Sequence, residues 1–190
     1  MEKLLALLDS IRPLSAALTV HLESIIRSRT LEKKAFLLKA GHVCRNIAFI
    51  ESGLLRCYYF EHETDLSAWF MKEGDVVVSV ESFFSQRPGS QYIQALEQTR
   101  LWYISWQELQ QTYREFPEFN ITGRIITENY YVQSEQRSRI MRSQRAHERY
   151  RYLLENHSEL VRRVPSKYLA SYLGISEVTL STIKSKKLAW

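Results

Sequence analysis

Cysteine is scarce in this chain: Cys44 and Cys57 are the only two among 190 residues. Two thiols cannot build a disulfide framework or a four-cysteine cluster, so both are read as buried free thiols. No stretch approaches 18 consecutive apolar residues, which argues against a membrane-spanning helix, and the start from Met1 to Ser10 is interrupted by charge and lacks a small-residue cleavage site. The expected location is the cytoplasm, with no membrane partner. Local signatures of common enzyme chemistry are missing as well. There is no G-x-x-x-x-G-K-[ST] phosphate loop, no H-E-x-x-H pair and no G-x-S-x-G elbow, so an enzyme is not expected. His21, His42, His62, His147 and His157 show no spacing that singles one out as a metal or haem ligand, and the carboxylates Glu61, Glu63 and Asp65 read as a solvated turn.

What is present is concentrated near the end. Residues 166–184 hold a small Ala170 where a second helix must cross the first closely, and Gly174 where a turn needs a positive φ. Leu169, Leu173, Ile175, Leu180 and Ile183 stand where two short helices lock together, which leaves Glu177, Val178, Ser181, Thr182 and Lys184 facing outward. This is the pattern of a helix-turn-helix, whose second helix lies in the major groove of DNA. Charge follows the motif. Residues 1–116 carry 13 Lys+Arg against 14 Asp+Glu, whereas residues 117–190 carry 13 against 7, so the whole basic excess of the chain sits with the helix-turn-helix. Counterion release rewards such a local excess, yet a net charge of this size on one short helix binds a full site poorly, and a dimer on two half-sites is the expectation.

The rest of the chain divides by period. Residues 2–10 and 13–29 read as helical, with Leu14, Leu18, Leu22, Ile25 and Ile26 on one face and Pro13 in a first turn. From Leu31 to about Ser105, short aromatic and branched runs punctuated by Gly41, Gly53, Gly74 and Pro88-Gly89 have strand-and-turn spacing, the clearest pair being 54–60 and 66–71 joined by polar residues 61–65. Several strands without intervening helices predict an antiparallel barrel or jelly roll. Tyr58, Tyr59, Trp69, Phe70, Phe83 and Phe84 are candidates for an apolar pocket, although strand spacing favours plain core. Residues 107–115 predict a short helix. After Pro117, residues 118–143 contain no proline and a single glycine, enough for a helix of roughly 40 Å. Phe119, Ile121, Ile125, Ile126 and Val132 recur along it at seam spacing, with Asn129 placed to set register, which predicts the interface of a parallel homodimer.

Helices, a glycine-punctuated roll containing residues 36–41 and 48–56, a long helix and a helix-turn-helix together resemble the Crp/Fnr superfamily of bacterial transcription regulators. The resemblance spans nearly the whole chain. It implies an α+β protein: a cyclic-nucleotide-binding-like β-jelly roll with flanking helices at 1–117, a dimerisation helix at 118–143 and a helix-turn-helix domain at 144–190 that lacks a full wing. Residues 146–154 look like the opening helix of that last domain, with a hinge at Ser143 to Ala146. The implied partners are double-stranded DNA, a second copy of the chain and RNA polymerase, with a small-molecule effector in the roll. The DNA contacts implied or read from the outward face are Lys167, Ser176, Glu177, Val178, Thr179, Ser181, Thr182, Lys184, Lys186 and Lys187, and Arg162 and Arg163 are further phosphate candidates.

The sequence departs from the family where its cyclic nucleotide would sit. Members that bind one follow a Gly-Asp with a Gly-Glu pair and, some ten residues on, an Arg-Ser pair, so that Glu takes the ribose hydroxyl and Arg the cyclic phosphate. Gly74-Asp75 is present here, but Val78-Ser79 and Gly89-Ser90 stand at the two matching places. Burying a cyclic phosphate without its charged partner costs several kcal/mol. Arg87 on a displaced loop and Ser134 on the long helix are the compensations on offer. The expectation is a regulator with no assigned effector and no cofactor. The alternatives are a cyclic-nucleotide-responsive regulator with a non-standard phosphate loop, or a sensor-only module that binds another protein.

Overall fold

The computed structural model describes the backbone of residues 1–143 and 145–187, and the side chains of these except Ser143, Lys186 and Lys187. Gln144, within the expected hinge, and positions 188–190 lie outside the described residues.

The chain opens with α1 (Glu2–Ile11) and α2 (Ala16–Ile25). The helix expected over 13–29 forms but is shorter at both ends. Ser15 caps α2 by accepting the Leu18 N–H at 3.2 Å, which leaves Pro13 in the connection, and residues 27–31 are taken into a sheet. Eight strands follow: β1 (Arg27–Leu31), β2 (Phe36–Leu38), β3 (Asn46–Ser52), β4 (Leu54–Glu61), β5 (Thr64–Lys72), β6 (Val76–Val77), β7 (Tyr92–Ala95) and β8 (Thr99–Ser105), with the short α3 (Val80–Ser85) between β6 and β7. They form two four-stranded sheets, ordered β1-β8-β3-β6 and β2-β7-β4-β5. The antiparallel registers Arg29↔Leu101 and Ala48↔Tyr103 fix β8 at the centre of the first. This is the antiparallel roll that the strand spacing predicts. The connection between β4 and β5 is shorter than the sequence implies: Glu61 and Thr64 belong to strands, and His62 and Glu63 make a two-residue turn with both φ positive, at 46° and 65°.

Helices then return as α4 (Trp106–Glu115), α5 (Phe119–Ser143), α6 (Ala146–Asn156), α7 (Ser158–Arg163), α8 (Ser166–Leu173) and α9 (Glu177–Lys187). Ser105 starts α4 with a reciprocal cap, its hydroxyl accepting the Glu108 N–H while the Glu108 carboxylate accepts the Ser105 N–H at 2.7 Å. Gly123 lets α4 and α5 approach, because a Cβ there would overlap the Tyr113 hydroxyl.

The chain divides into two compact units. One comprises Met1–Cys57 and Met71–Asn129, the other Tyr58–Phe70 and Tyr130–Trp190. In the first, Leu18, Leu22, Ile50, Leu54, Leu55, Phe83, Ile93 and Leu101 make a fully enclosed core. In the second, the core is Ile140, Tyr150, Leu153, Leu160, Val164, Leu169, Ala170, Leu173 and Leu180.

Candidate nucleic-acid interface

The helix-turn-helix is built from local signals. Leu169, Ala170, Leu173 and Leu180 are at most 1% exposed, so the two helices close on each other where the small and branched residues lie. Gly174 ends α8 in the left-handed region, φ 63° and ψ 40°, and the Ile175 N–H turns back to the Ala170 carbonyl at 3.1 Å. Only glycine adopts this without a Cβ penalty, and the bond satisfies a helix-end carbonyl. Ser176 then caps α9, its hydroxyl accepting the Thr179 N–H at 3.0 Å.

This construction presents one face of α9 to solvent. Glu177, Val178, Thr179, Ser181 and Thr182 are exposed, Val178 at 77%. The Thr182 hydroxyl donates to the Val178 carbonyl at 3.0 Å, one turn back along the helix. Lys167 and Arg162 are exposed beside this face on the preceding helices, with Arg163 half-buried. Lys184 sits differently from the outward placement read in sequence: it is half-buried and its ammonium donates to the Ser166 hydroxyl at 3.1 Å, tying α9 to the start of α8. The side chains of Lys186 and Lys187 lie outside the described residues. At the entrance to this unit, the Glu148 carboxylate accepts the Arg145 N–H, and that bond holds Glu148 below the usual carboxylate range.

The long helix uses its apolar positions in two directions. Phe119 is buried with its ring 5.8 Å from Tyr113, and Ile126 lines an apolar cavity of about 110 Å³ with Leu22, Phe83, Phe84 and Gly123, so both belong to the core of the first unit. Ile121 and Ile125 are half-buried, Asn129 is exposed, and Val132 is 52% exposed. Tyr131, 66% exposed, joins this outer stripe and was not singled out by spacing.

Comparison with known proteins places this arrangement. Residues 28–116 match the cyclic nucleotide-binding domain family. Solved structures similar over almost the full chain include the c-di-GMP responsive global regulator CLP of Xanthomonas campestris, at 15% identity and TM-score 0.73 with 92% of each chain covered. A CooA mutant from Carboxydothermus hydrogenoformans gives 18% and 0.69, covering 95% of this chain and 83% of that one. A protein from Eubacterium rectale assigned to the Crp/Fnr family gives 14% and 0.71, covering 90% and 82%. The chain has the Crp/Fnr fold. No curated protein sequence matches it significantly.

At the positions that the resemblance assigns to ribose and phosphate, Ser79 and Gly89 bond to the chain's own groups. Ser79 is buried and its hydroxyl donates to the Gln91 amide oxygen at 2.7 Å. The Gly89 carbonyl accepts the Gly41 N–H at 2.8 Å, and a Cβ at Gly89 would stand 3.1 Å from Ser82. Ser82 itself accepts the Cys44 N–H at 2.9 Å and donates to the Arg87 carbonyl. Val78 borders a cleft of about 220 Å³ shared with Leu38, Cys44, Arg45 and Ile93, while Arg87 and Ser90 are exposed and Ser134 is half-buried. Burial pushes the Cys44 thiol above its ordinary pKa. Among the described residues no group of three or more His, Cys, Asp or Glu is placed to hold a metal ion, and no helix is long and apolar enough to cross a membrane.

Of the aromatic residues considered for an apolar pocket, Phe83 and Phe84 do line one. Trp69 and Phe70 instead pack within the second unit, Trp69 stacked 5.5 Å from Tyr130 and Phe70 5.2 Å from Tyr172. The Arg137 guanidinium lies 4.1 Å over the Trp69 ring and donates to the Ala68 carbonyl. Sequence spacing gave no sign of this cluster, because its paired members are 61 to 102 residues apart.

Proposed function

We propose that this chain is a sequence-specific DNA-binding transcription regulator that acts as a homodimer, with no assigned effector. The observation that carries the reading is the exposed face of α9, Glu177, Val178, Thr179, Ser181 and Thr182, presented by a capped helix on a closed helix-turn-helix core in the basic part of the chain. A helix packed merely to close a core would turn branched residues inward at these positions. Glu177 can accept from cytosine N4, and Val178 and the Thr182 methyl can meet thymine methyls, while Lys167, Lys186, Lys187 and Arg162 supply phosphate contacts. Ile121, Ile125, Tyr131 and Val132 form the seam with a second copy and set the spacing of two recognition helices. Cyclic AMP is not the effector, because no guanidinium or carboxylate stands at the two places that need them.

Titration of the full chain against random duplex at two salt concentrations tests this reading. Binding that weakens steeply with salt is expected, each true phosphate contact adding about one unit to the slope. Absence of binding at low salt would instead support a sensor-only protein.

A further inference from the structure

Resting on that DNA-binding reading, a second feature of the same unit bears on its control. β5 is an edge strand of its sheet, so its outer backbone groups have no neighbouring strand in that sheet. Ser171, on the first helix of the helix-turn-helix, supplies one: its hydroxyl accepts the Ser67 N–H at 2.9 Å and donates to the Asp65 carbonyl at 3.0 Å. A single side chain thereby stands in for a neighbouring strand. The contact continues along β5 through the Phe70–Tyr172 ring pair and through Arg137 on Ala68 and Trp69.

The consequence lies at the hairpin tip. Glu61, Glu63 and Asp65 bring three carboxylates within five residues, and Glu63 and Asp65 share the walls of a cleft of about 580 Å³ with Lys167, Ser176 and Glu177. Lys167, at the start of α8, and Ser176, which caps the recognition helix, are residues assigned above to DNA. Opposing walls of such a cleft lie within roughly one screening length at physiological salt, so phosphates drawn to Lys167 meet the tip carboxylates little screened. A DNA-binding surface that carries acid on its own edge is arranged against its ligand.

We propose that the β4–β5 hairpin is an autoinhibitory latch, in which Ser171 holds the acidic tip beside the DNA-facing turn and lowers affinity for any duplex until the hairpin is released.

Two variants of the full chain test the latch by different routes. Ser171→Ala removes both hydrogen bonds while favouring the helix that carries it. A triple variant, Glu61→Gln with Glu63→Gln and Asp65→Asn, leaves Ser171 in place and removes the charge. Fluorescence anisotropy on a random-sequence duplex should show both binding more tightly than wild type, Ser171→Ala by roughly tenfold, the scale of two neutral hydrogen bonds. The Ser67 amide should exchange faster with solvent in Ser171→Ala. Wild type binding as tightly as either variant, or more tightly, overturns the latch and leaves the DNA-binding reading intact. No binding by any of the three proteins at low salt overturns the DNA-binding reading, and the latch with it. A Ser67 amide equally protected in wild type and Ser171→Ala overturns the contact itself.

Discussion

The two faces of α5 should respond oppositely to an introduced charge. Val132 is 52% exposed and Ile125 half-buried on the outer stripe, so Asp at either position changes the stability of a lone chain by no more than about 0.5 kcal/mol. In a parallel pair each substitution enters twice, once per helix. Burying the exposed half of a valine contributes about 1 kcal/mol per chain, hence about 2 kcal/mol per dimer. Two unpaired carboxylates placed in the seam cost several kcal/mol more. A total on the order of 5 kcal/mol raises the dimer Kd by more than three decades. Ile126→Asp is the contrasting case. It puts a carboxylate into the apolar cavity of the first unit and should lower the stability of that unit itself by about 3 kcal/mol. Sedimentation equilibrium with circular dichroism separates the outcomes. If Ile125→Asp and Val132→Asp remain dimeric at micromolar concentration with unchanged spectra, α5 is not the interface. If Ile126→Asp is as stable as wild type, its inward face has been misassigned.

Three further outcomes follow from single sites. Leu180, 1% exposed at the crossing of α8 and α9, should cost about 3 kcal/mol when cut to Ala and abolish DNA binding; unaltered calorimetry and affinity would show that this residue does not lock the motif. Cyclic AMP at about 1 mM should neither raise Tm nor change DNA binding, whereas a micromolar Kd with one site per subunit would point to Arg87 as a relocated phosphate contact. Burial pushes the Glu108 carboxyl up, but hydrogen bonds from Ser105 and the charge of Arg27 outweigh it and hold the group below its ordinary value. Its contribution is therefore present above the unfolded pKa, near 4.3, and lost as pH falls through the lowered one; acid titrations of wild type and Glu108→Gln should diverge above that range and converge below it, and superimposable curves would contradict the assignment.

Local signals were legible and distant ones were not. The helix-turn-helix could be read because Ala170, Gly174 and the leucines act within one short span, where helix period and turn chemistry decide the structure. The long helix followed from a run with no proline and a single glycine. The helix expected over 13–29 ends early for a tertiary reason: β1 gains its partner in β8, some 70 residues later, and that pairing ends α2 at Ile25. The five polar residues at 61–65 looked like a loop, but Asp65 and Ser67 are held in an edge strand by Ser171, more than 100 residues away. The α5 stripe gave the correct period without its direction. Gly123 and Tyr113 decide that Phe119 and Ile126 face the first unit's core. Lys184 shows the same limit on a smaller scale, since its acceptor Ser166 is on another helix.

Selection from a random DNA pool by the full chain tests the central claim most directly, run with wild type, Glu177→Ala, Thr182→Ala, Lys186→Ala and Lys187→Ala. Wild type should enrich an inverted repeat whose half-sites lie about one helical turn apart, as two recognition helices on a parallel dimer require. The lysine variants should keep that consensus and bind all sequences more weakly, while the Glu177 and Thr182 variants should change the preferred base at one or two positions of each half-site. No enriched sequence with wild type, or an unchanged consensus and full affinity for Glu177→Ala and Thr182→Ala, would contradict the assignment of this face of α9 to DNA.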